Sequence, residues 1–308
     1  MKDFRYSSEA FLEEKMGNKL NKKAYPLYLL VPAVVVYSVF IIIPFLFSIF
    51  FSLTDWNIER MFTPVFRGVT NYLTVLQDKI FVRAVVNTLL FAVGTTILKI
   101  AFGLLLALAV LKVSRLNNVL RTIFYIPCVM SPLIIGVIFT SILADQGLLN
   151  NLLESLGLSA LAVNWLAKYA TAMSSVIMIE GWMWSGFNMF IFIAGLQAIS
   201  TDYYESADVD GVSKFNQFRY ITLPLLVPSF TVTVTLNITG SLKVFDLIYV
   251  LTQGGPGFDT QVMSTYVYRA FGLGLLGESS AASVILAVIV VLISFVLNRY
   301  LTRKEVAL

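Results

Sequence analysis

Long apolar runs separated by short polar segments constrain this chain more than any other feature of its sequence. Of its 308 residues, 58% are hydrophobic and only 13% are charged, and the mean hydropathy is +0.82. Soluble domains carry roughly 25% charged residues. A helix of about 20 apolar residues can cross a bilayer core of about 30 Å. The composition therefore predicts an all-α, polytopic membrane protein.

Six of the apolar runs are long enough to be transmembrane helices. The predicted spans are residues 25–53, 84–111, 119–143, 169–199, 221–251 and 281–301. Together they form a membrane domain of residues 25–302, with an N-terminal tail at 1–24 and a C-terminal tail at 303–308. The first run is too long for the apolar core of a signal peptide, so we interpret it as a span.

The Lys and Arg residues are distributed unevenly between alternate loops. With the N-terminus in the cytoplasm, 14 of them lie on the cytoplasmic side and six on the opposite side. Because cytoplasmic loops carry such an excess, we expect both termini and the loop at 201–224 to be cytoplasmic. The segments 55–83, 145–168 and 252–278 are then extracytoplasmic. This topology also explains the pI near 9.0 better than a nucleic-acid-binding surface does.

Cysteine, histidine and nucleotide-binding motifs limit the chemistry of the chain. The single cysteine, Cys128, excludes an internal disulfide, and the lack of histidine argues against a zinc or haem site. The sequence contains no GxxxxGK(S/T) loop for nucleotide phosphates. We therefore expect no catalytic residue, no bound metal and no cofactor in this chain.

The segment 201–226, TDYYESADVDGVSKFNQFRYITLPLL, is polar and lies between two apolar runs. Asp202 and Glu205 have the capping-box spacing, which predicts a helix that begins near Tyr203. Gly211 predicts its end, because glycine adopts the left-handed conformation that terminates helices. A helix of about two turns is too short to be stable alone in water. We therefore expect a partner to hold it.

Residues of this segment resemble the EAA loop of permease subunits in binding-protein-dependent ABC importers. That pattern is E-A-A-x-x-x-G, followed about nine residues later by I-x-L-P. The matching residues are Glu205, Ser206, Ala207, Asp210, Gly211, Ile221, Leu223 and Pro224. Ser206 replaces the usual alanine, and serine is nearly as small. Residues 81–91, 164–172 and 245–260 resemble the carbohydrate branch, the maltodextrin and glycerol-phosphate permeases, so the resemblance covers about residues 25–302.

The resemblance implies a type I ABC importer in a bacterial or archaeal cell membrane. This chain would form a heterodimer with a second, related permease, embedded in lipid. Two ATPase subunits would use ATP and Mg²⁺ on the cytoplasmic side, and an extracytoplasmic binding protein would deliver the sugar. The predicted ATPase-coupling residues are Tyr203, Tyr204, Glu205, Ser206, Ala207, Asp210, Gly211 and Pro224.

Alignment with the maltodextrin permease implies a sugar pathway through the fourth and fifth spans. The family's sugar-lining positions fall on Met183, Trp184, Phe187, Asn237, Gly240, Ser241 and Val244, and Asn188 is a polar neighbour at similar depth. Sugars are commonly held by aromatic faces together with a few polar groups. The alternative interpretation is that these aromatic residues pack between helices.

Four ionisable residues fall inside predicted spans, where they should face protein or a water-filled cavity. They are Lys99, Glu180, Lys243 and Asp246. Lys243 and Asp246 are three residues apart, so we expect them to pair on one helix face, with a gating or lining role as the alternative. The partner of Glu180 is left open.

Two other classes of transporter are alternatives. A secondary transporter would need coupling residues within the membrane, and it would leave the EAA loop unexplained. An ABC permease for amino acids or inorganic anions would have the EAA loop but no reason to resemble the carbohydrate branch at 245–260. External binding proteins select much of the substrate, so this chain does not specify which sugar is carried.

Overall fold

The structure is a computed structural model that describes residues 27–305, and the regular elements in this range are helical. An isolated bridge between Thr54 and Phe66 is the one β-type contact within these residues. The chain divides into two units, Met1–Phe51 and Ser52–Leu308. The predicted N-terminal tail at 1–24 lies outside the described residues, as do residues 306–308 of the predicted C-terminal tail.

We number the helices in chain order. They are α1 (Val31–Ser52), α2 (Thr70–Gln77), α3 (Lys79–Ala109), α4 (Arg115–Val129), α5 (Pro132–Ile142), α6 (Leu148–Ser155), α7 (Tyr169–Met183), α8 (Ser185–Ala198), α9 (Thr201–Val209), α10 (Lys214–Leu225), α11 (Val227–Ser241), α12 (Asp246–Thr252), α13 (Met263–Gly272) and α14 (Leu276–Glu305).

Helix α1 accounts for most of the described part of the first unit. Pro32 lies in its first turn, where the missing N–H removes no intrahelical hydrogen bond. A π-helical turn, Ser38–Ile42, precedes Pro44. Such a turn absorbs the hydrogen bond that a proline cannot donate, so the chain continues as one helix of 22 residues.

The described helices are sufficient for a polytopic membrane protein. Three of them, α1, α3 and α14, are individually long and apolar enough to cross a membrane. Three pairs meet the same test together but are bent, α4 with α5 by 95°, α7 with α8 by 45° and α10 with α11 by 62°. If each bent pair is one span, the described residues contain up to six spans. The predicted all-α polytopic fold class is confirmed.

The second and sixth spans are longer than predicted. Helix α3 begins at Lys79 rather than at residue 84, because Oδ1 of Asp78 accepts a hydrogen bond of 2.8 Å from the Ile80 amide and caps the helix. Helix α14 covers Leu276–Glu305 and so exceeds the predicted 281–301 at both ends. The first residues of the predicted tail at 303–308 are therefore helical.

The third and fourth predicted spans are not single straight helices. At 119–143, α4 ends at Val129, and Met130 and Ser131 are extended before Pro132 begins α5. A residue before proline favours extended backbone, and proline cannot donate the hydrogen bond that would continue α4. At 169–199 the bend is at Trp184, where φ is −94° and ψ is 0°.

The fifth predicted span, 221–251, is wrong at both ends. Helix α10 already begins at Lys214, the axis bends before Pro228, and α11 ends at Ser241. Residues 242–245 form a turn before α12.

The predicted pairing of Lys243 with Asp246 is therefore wrong, because Lys243 lies in that turn and Asp246 begins the next helix. No ion pair joins these two residues in the described structure.

Helix α3 is the central helix of the second unit, since it contacts α2, α7, α8, α11 and α13. Small residues allow these helices to approach it closely. The tightest example is Gly103, where a Cβ would lie 2.6 Å from Cβ of Asn188 on α8. Because Gly103 permits this approach, α8 can place Asn188 in the interior.

Replacement of Gly103 by alanine tests how much the close approach of α3 and α8 stabilises the fold. The added Cβ would also lie 3.1 Å from the Met189 backbone nitrogen, so the helices must separate. We expect Gly103→Ala to lower the free energy of unfolding by about 1–3 kcal/mol, measured by thermal unfolding in detergent. Gly272→Ala is the control, because no atom lies within 4 Å of its added Cβ. Equal melting temperatures would contradict the prediction.

Candidate functional site

The polar segment predicted to be a docking loop folds into the short helix α9. Its cap is Ser200, whose Oγ accepts a hydrogen bond of 3.3 Å from the Asp202 amide. The predicted start near Tyr203, with Asp202 as the cap, is therefore wrong by two residues. Gly211 has a φ of +72° and ends the helix as predicted. No atom lies within 4 Å of a Cβ built on Gly211. Glycine is therefore favoured here by the backbone conformation and not by a lack of space.

A polar cluster fixes the turn between α9 and α10. Lys214 Nζ donates to both carboxylate oxygens of Asp208, at 2.7 and 2.9 Å. Nε2 of the buried Gln217 donates to Asp208 Oδ1 at 2.6 Å and to the Val212 carbonyl at 3.0 Å. These hydrogen bonds from Lys214 and Gln217 hold the pKa of Asp208 below its usual range. The carboxylate therefore stays ionised at neutral pH, and the chain itself braces α9.

The predicted coupling residues of α9 divide into two faces. Ala207 is buried, and Tyr204 is half-buried with its hydroxyl 3.0 Å from Oγ1 of Thr222. The contact of the Tyr204 hydroxyl is thus within this chain. Pro224 on α10 is half-buried. The other predicted coupling residues are exposed: Tyr203, Glu205, Ser206, Asp210 and Gly211.

Large apolar side chains on α9 and on the following α10 are exposed, and none of them was among the predicted coupling residues. Val209 is 89% exposed, Phe215 70% and Tyr220 67%. Apolar side chains that cluster on a surface and are rimmed by polar residues mark interaction sites. The available signal was the presence of large apolar residues within an otherwise polar segment.

A buried polar network joins α3, α7 and α11. Lys99 Nζ donates to Glu180 Oε1 at 2.8 Å and to Ser241 Oγ at 3.2 Å. Thr95 Oγ1 donates to the same Ser241 oxygen at 2.9 Å. The side chains of Lys99 and Glu180 are only 4% and 9% exposed. Because a buried charge is costly without a partner, this pairing explains how an apolar helix pair accommodates both residues.

The network lies beside two breaks in the helices. Ser241 is the last residue of α11, and Glu180 lies one turn before the bend at Trp184. Lys99 Nζ is 5.8 Å from the centre of the Trp184 ring, close enough for a cation–π contact. The network therefore fixes the parts of α7 and α11 in which the sugar pathway was predicted.

Half of the predicted pathway residues point into the protein in this conformation. Nδ2 of Asn237 donates to Oδ1 of Asn188 at 2.7 Å, and the reverse contact is 3.4 Å. Both amides are buried, as are Met183 and Ser241. This amide pair links α8 to α11. These two side chains therefore have a structural role in addition to the predicted role in the sugar pathway.

The remaining predicted pathway residues retain surface that a ligand could contact. Trp184 and Phe187 are half-buried and nearly perpendicular, with ring centres 6.0 Å apart. Val244 is also half-buried, and Gly240 is exposed with no atom within 4 Å of an added Cβ. These four positions therefore keep exposed surface in the structure, whereas the asparagines do not.

The glycine-rich loop after α12 is fixed to α3. Nδ2 of Asn87 donates to the carbonyl oxygens of Asp259 and Gln261, at 2.5 and 2.8 Å. The Tyr169 hydroxyl donates to Oδ1 of the same asparagine at 3.0 Å. The loop is therefore held to α3, and through Asn87 to α7, as it connects α12 to α13.

The sequence profile of one protein family matches residues 99–305, which include the Lys99–Glu180 pair and α9. Its description is binding-protein-dependent transport system inner membrane component. The chain belongs to this family. It is accordingly a multi-pass membrane protein and the transport subunit of such a system, as the EAA resemblance predicted.

Individual relatives agree with this assignment. The chain is 36% identical to the probable ABC transporter permease protein YurN of Bacillus subtilis, over 92% of this chain and 98% of YurN. It is 35% identical to the trehalose/maltose transport system permease protein MalF of Thermococcus litoralis, over 91% of this chain and 95% of MalF. The predicted resemblance to carbohydrate permeases of ABC importers is confirmed.

A solved structure is similar over nearly the whole chain. It is a bacterial alginate ABC transporter in complex with a periplasmic protein that holds an alginate pentasaccharide. The TM-score is 0.78 at 26% identity, covering 91% of this chain and 95% of that one. The bent helices of this permease family member are therefore part of a known transporter fold.

Removal of one member of the buried ion pair tests the network. Lys99→Met leaves the Glu180 carboxylate without its cationic partner, so we expect the free energy of unfolding to fall by about 3 kcal/mol or more. The double variant Lys99→Met with Glu180→Gln contains no unpaired buried charge and should recover much of that loss. Thermal unfolding of the purified transporter measures both. A double variant as unstable as Lys99→Met alone would contradict the pairing.

Proposed function

We propose that this chain is the transmembrane permease subunit of an ABC importer that carries a sugar or oligosaccharide. The observation that best supports the proposal is the structure of helix α9. It is short, exposed, braced by Asp208 and Gln217 and ended by Gly211, in a chain of the permease family. The trehalose/maltose permease and the alginate transporter both handle saccharides, which supports a carbohydrate as the solute.

In the proposed arrangement, α9 docks on an ATPase subunit in the cytoplasm. The excess of Lys and Arg on the side of the membrane that contains the 201–224 loop supports this orientation, with both termini on the same side. The exposed Tyr203, Val209 and Phe215 offer apolar area to a cleft in that partner. The ATPase subunits hold ATP and Mg²⁺, and this chain catalyses no reaction and binds no cofactor itself.

The other partners follow from the same proposal. A second, related permease completes the membrane pathway, and an extracytoplasmic binding protein supplies the sugar. The alginate transporter supports the latter, because its structure contains a periplasmic protein loaded with a pentasaccharide. The segments 55–83, 145–168 and 252–278 face that binding protein, and the lipid bilayer surrounds the spans.

An uptake assay tests the proposed function. Vesicles that contain this chain, its partner permease and the ATPase subunits are offered maltotriose, trehalose and an alginate oligosaccharide. We expect accumulation of a saccharide only with ATP on the side of α9 and binding protein on the other. Uptake driven by an ion gradient without ATP would indicate a secondary transporter. Uptake of an amino acid or inorganic anion alone would indicate another ABC branch.

Substitution of Gly211 tests the docking of α9, with Gly157 as a matched control. Both residues have positive φ, +72° and +76°, and neither has an atom within 4 Å of an added Cβ. Valine therefore strains both positions to a similar extent. We expect Gly211→Val to reduce copurification of the ATPase and ATP-driven uptake at least about tenfold, whereas Gly157→Val retains the ATPase.

Asparagine at the same position distinguishes backbone conformation from side-chain bulk. Asn tolerates the left-handed region better than valine does, so Gly211→Asn should retain more ATPase binding than Gly211→Val. ATPase binding and uptake that are unchanged in Gly211→Val would contradict the docking assignment. Equal loss of the ATPase from the Gly211→Val and Gly157→Val variants would also contradict it, because the effect would then be a general destabilisation.

A further inference from the structure

Three aromatic rings form a cluster immediately after the end of α11. Phe245 and Tyr249 are stacked, with ring centres 5.2 Å apart and planes at 14°. Tyr268 of α13 packs edge-on against both, at 5.2 Å from each. We call these three residues the aromatic trio.

The aromatic trio is not part of the hydrophobic core. Helix α12 buries Leu247, Ile248 and Leu251, and it packs on α5 and α7. Tyr249 lies on the open face of the same helix and is 36% exposed, while Tyr268 is 52% exposed. Large rings that are ordered by one another and yet exposed are available to a further molecule.

Polar groups accompany these rings. Lys243 and Asp246 flank Phe245 in the sequence, and both are exposed. Within the described residues, neither side chain forms an ion pair or a hydrogen bond. Exposed cationic and anionic residues close in sequence to aromatic rings suit a ligand that presents both C–H surface and hydroxyl groups. A purely apolar partner surface would leave both charges without a partner.

The aromatic trio follows an exposed face of α11. Val232, Leu236 and Gly240 are exposed at intervals of four residues, so they form one stripe along the helix. The stripe ends near Val244, directly before Phe245. The cluster therefore lies where this exposed face reaches α12 and the ordered loop that follows it.

We propose that the aromatic trio is a carbohydrate-stacking site, which contacts a sugar ring as it enters the pathway past Val244 and Gly240. This inference rests on the proposed function, because the 252–278 side of the chain is the side from which the sugar arrives. The rings supply faces for the C–H surface of the sugar, and Lys243 and Asp246 bind its hydroxyls. The site takes neutral or hydroxyl-rich saccharides.

Direct sugar binding tests the proposal. The purified complex of both permeases and the ATPases is dialysed against whichever radiolabelled saccharide the wild type accumulates: maltotriose, trehalose or the alginate oligosaccharide. We expect Tyr249→Ala and Tyr268→Ala each to weaken binding about tenfold. Tyr268→Trp, which keeps an aromatic face, should retain most of the affinity. Phe271→Ala is the control, because Phe271 is 58% exposed on the same helix, outside the aromatic trio.

Uptake per ATP distinguishes a sugar contact from a brace between α12 and α13. Loss of a sugar contact lowers the number of sugars carried per ATP in vesicles but leaves binding-protein-stimulated ATPase activity unchanged. A lower melting temperature, or loss of the partner permease from the complex, with unchanged sugar affinity would overturn the proposal. So would sugar affinities of Tyr249→Ala and Tyr268→Ala equal to that of Phe271→Ala. If the wild type carries no saccharide at all, that result would instead contradict the proposed function.

Discussion

The pairing of Lys99 with Glu180 is the interaction on which the interior of this membrane protein depends. Two opposite charges with little exposure are tolerated in apolar helices only because each satisfies the other. Ser241 and Thr95 complete the network, which therefore ties three helices together at one depth. Apolar side chains of similar volume could stabilise these helices equally well. The ion pair therefore contributes mainly by specifying which helix faces meet. That arrangement places the end of α11 and the bend after α7 side by side.

Polar side chains satisfy backbone groups where helices end in this fold. The end of a helix leaves carbonyl groups without an intrahelical partner, and where water is excluded the protein must supply one. The guanidinium of Arg121 does so for the carbonyls of Val110 and Leu111 where α3 ends. Asn87 performs the same role for the loop after α12. Side-chain hydrogen bonds thus fix both of these connections.

The two candidate contact regions lie before and after the bent pair of α10 and α11 in the chain. Helix α9 follows α8, which packs on the Gly103 side of α3, whereas the aromatic trio begins with Phe245, after the end of α11. A hydrophobic cluster that includes Met189, Phe192 and Leu226 joins α3, α8 and the bend before α11. In the proposed importer, movement of a braced α9 would therefore be transmitted to packed helices rather than absorbed by a loose loop.

The sequence by itself determined the features that depend on local composition. Apolar run length predicted the all-α polytopic class, Gly211 predicted the end of α9, and the EAA pattern identified the family. These signals are local because helix length, glycine conformation and a short motif need no knowledge of distant residues. The positions of helix ends were less predictable, since Ser200 and Asp78 cap their helices through side-chain hydrogen bonds that compete with neighbouring candidates.

The tertiary structure alone decided which polar residues meet. Lys99 pairs with Glu180 across 81 residues and Asn188 with Asn237 across 49, whereas the neighbours Lys243 and Asp246 do not pair. Sequence spacing predicts contacts only within an unbroken helix, and α11 ends at Ser241, before both members of the expected pair. Contacts between helices depend on how bent spans pack around α3. That packing arises from small residues and buried polar partners acting together. It therefore cannot be predicted from any single segment of the sequence.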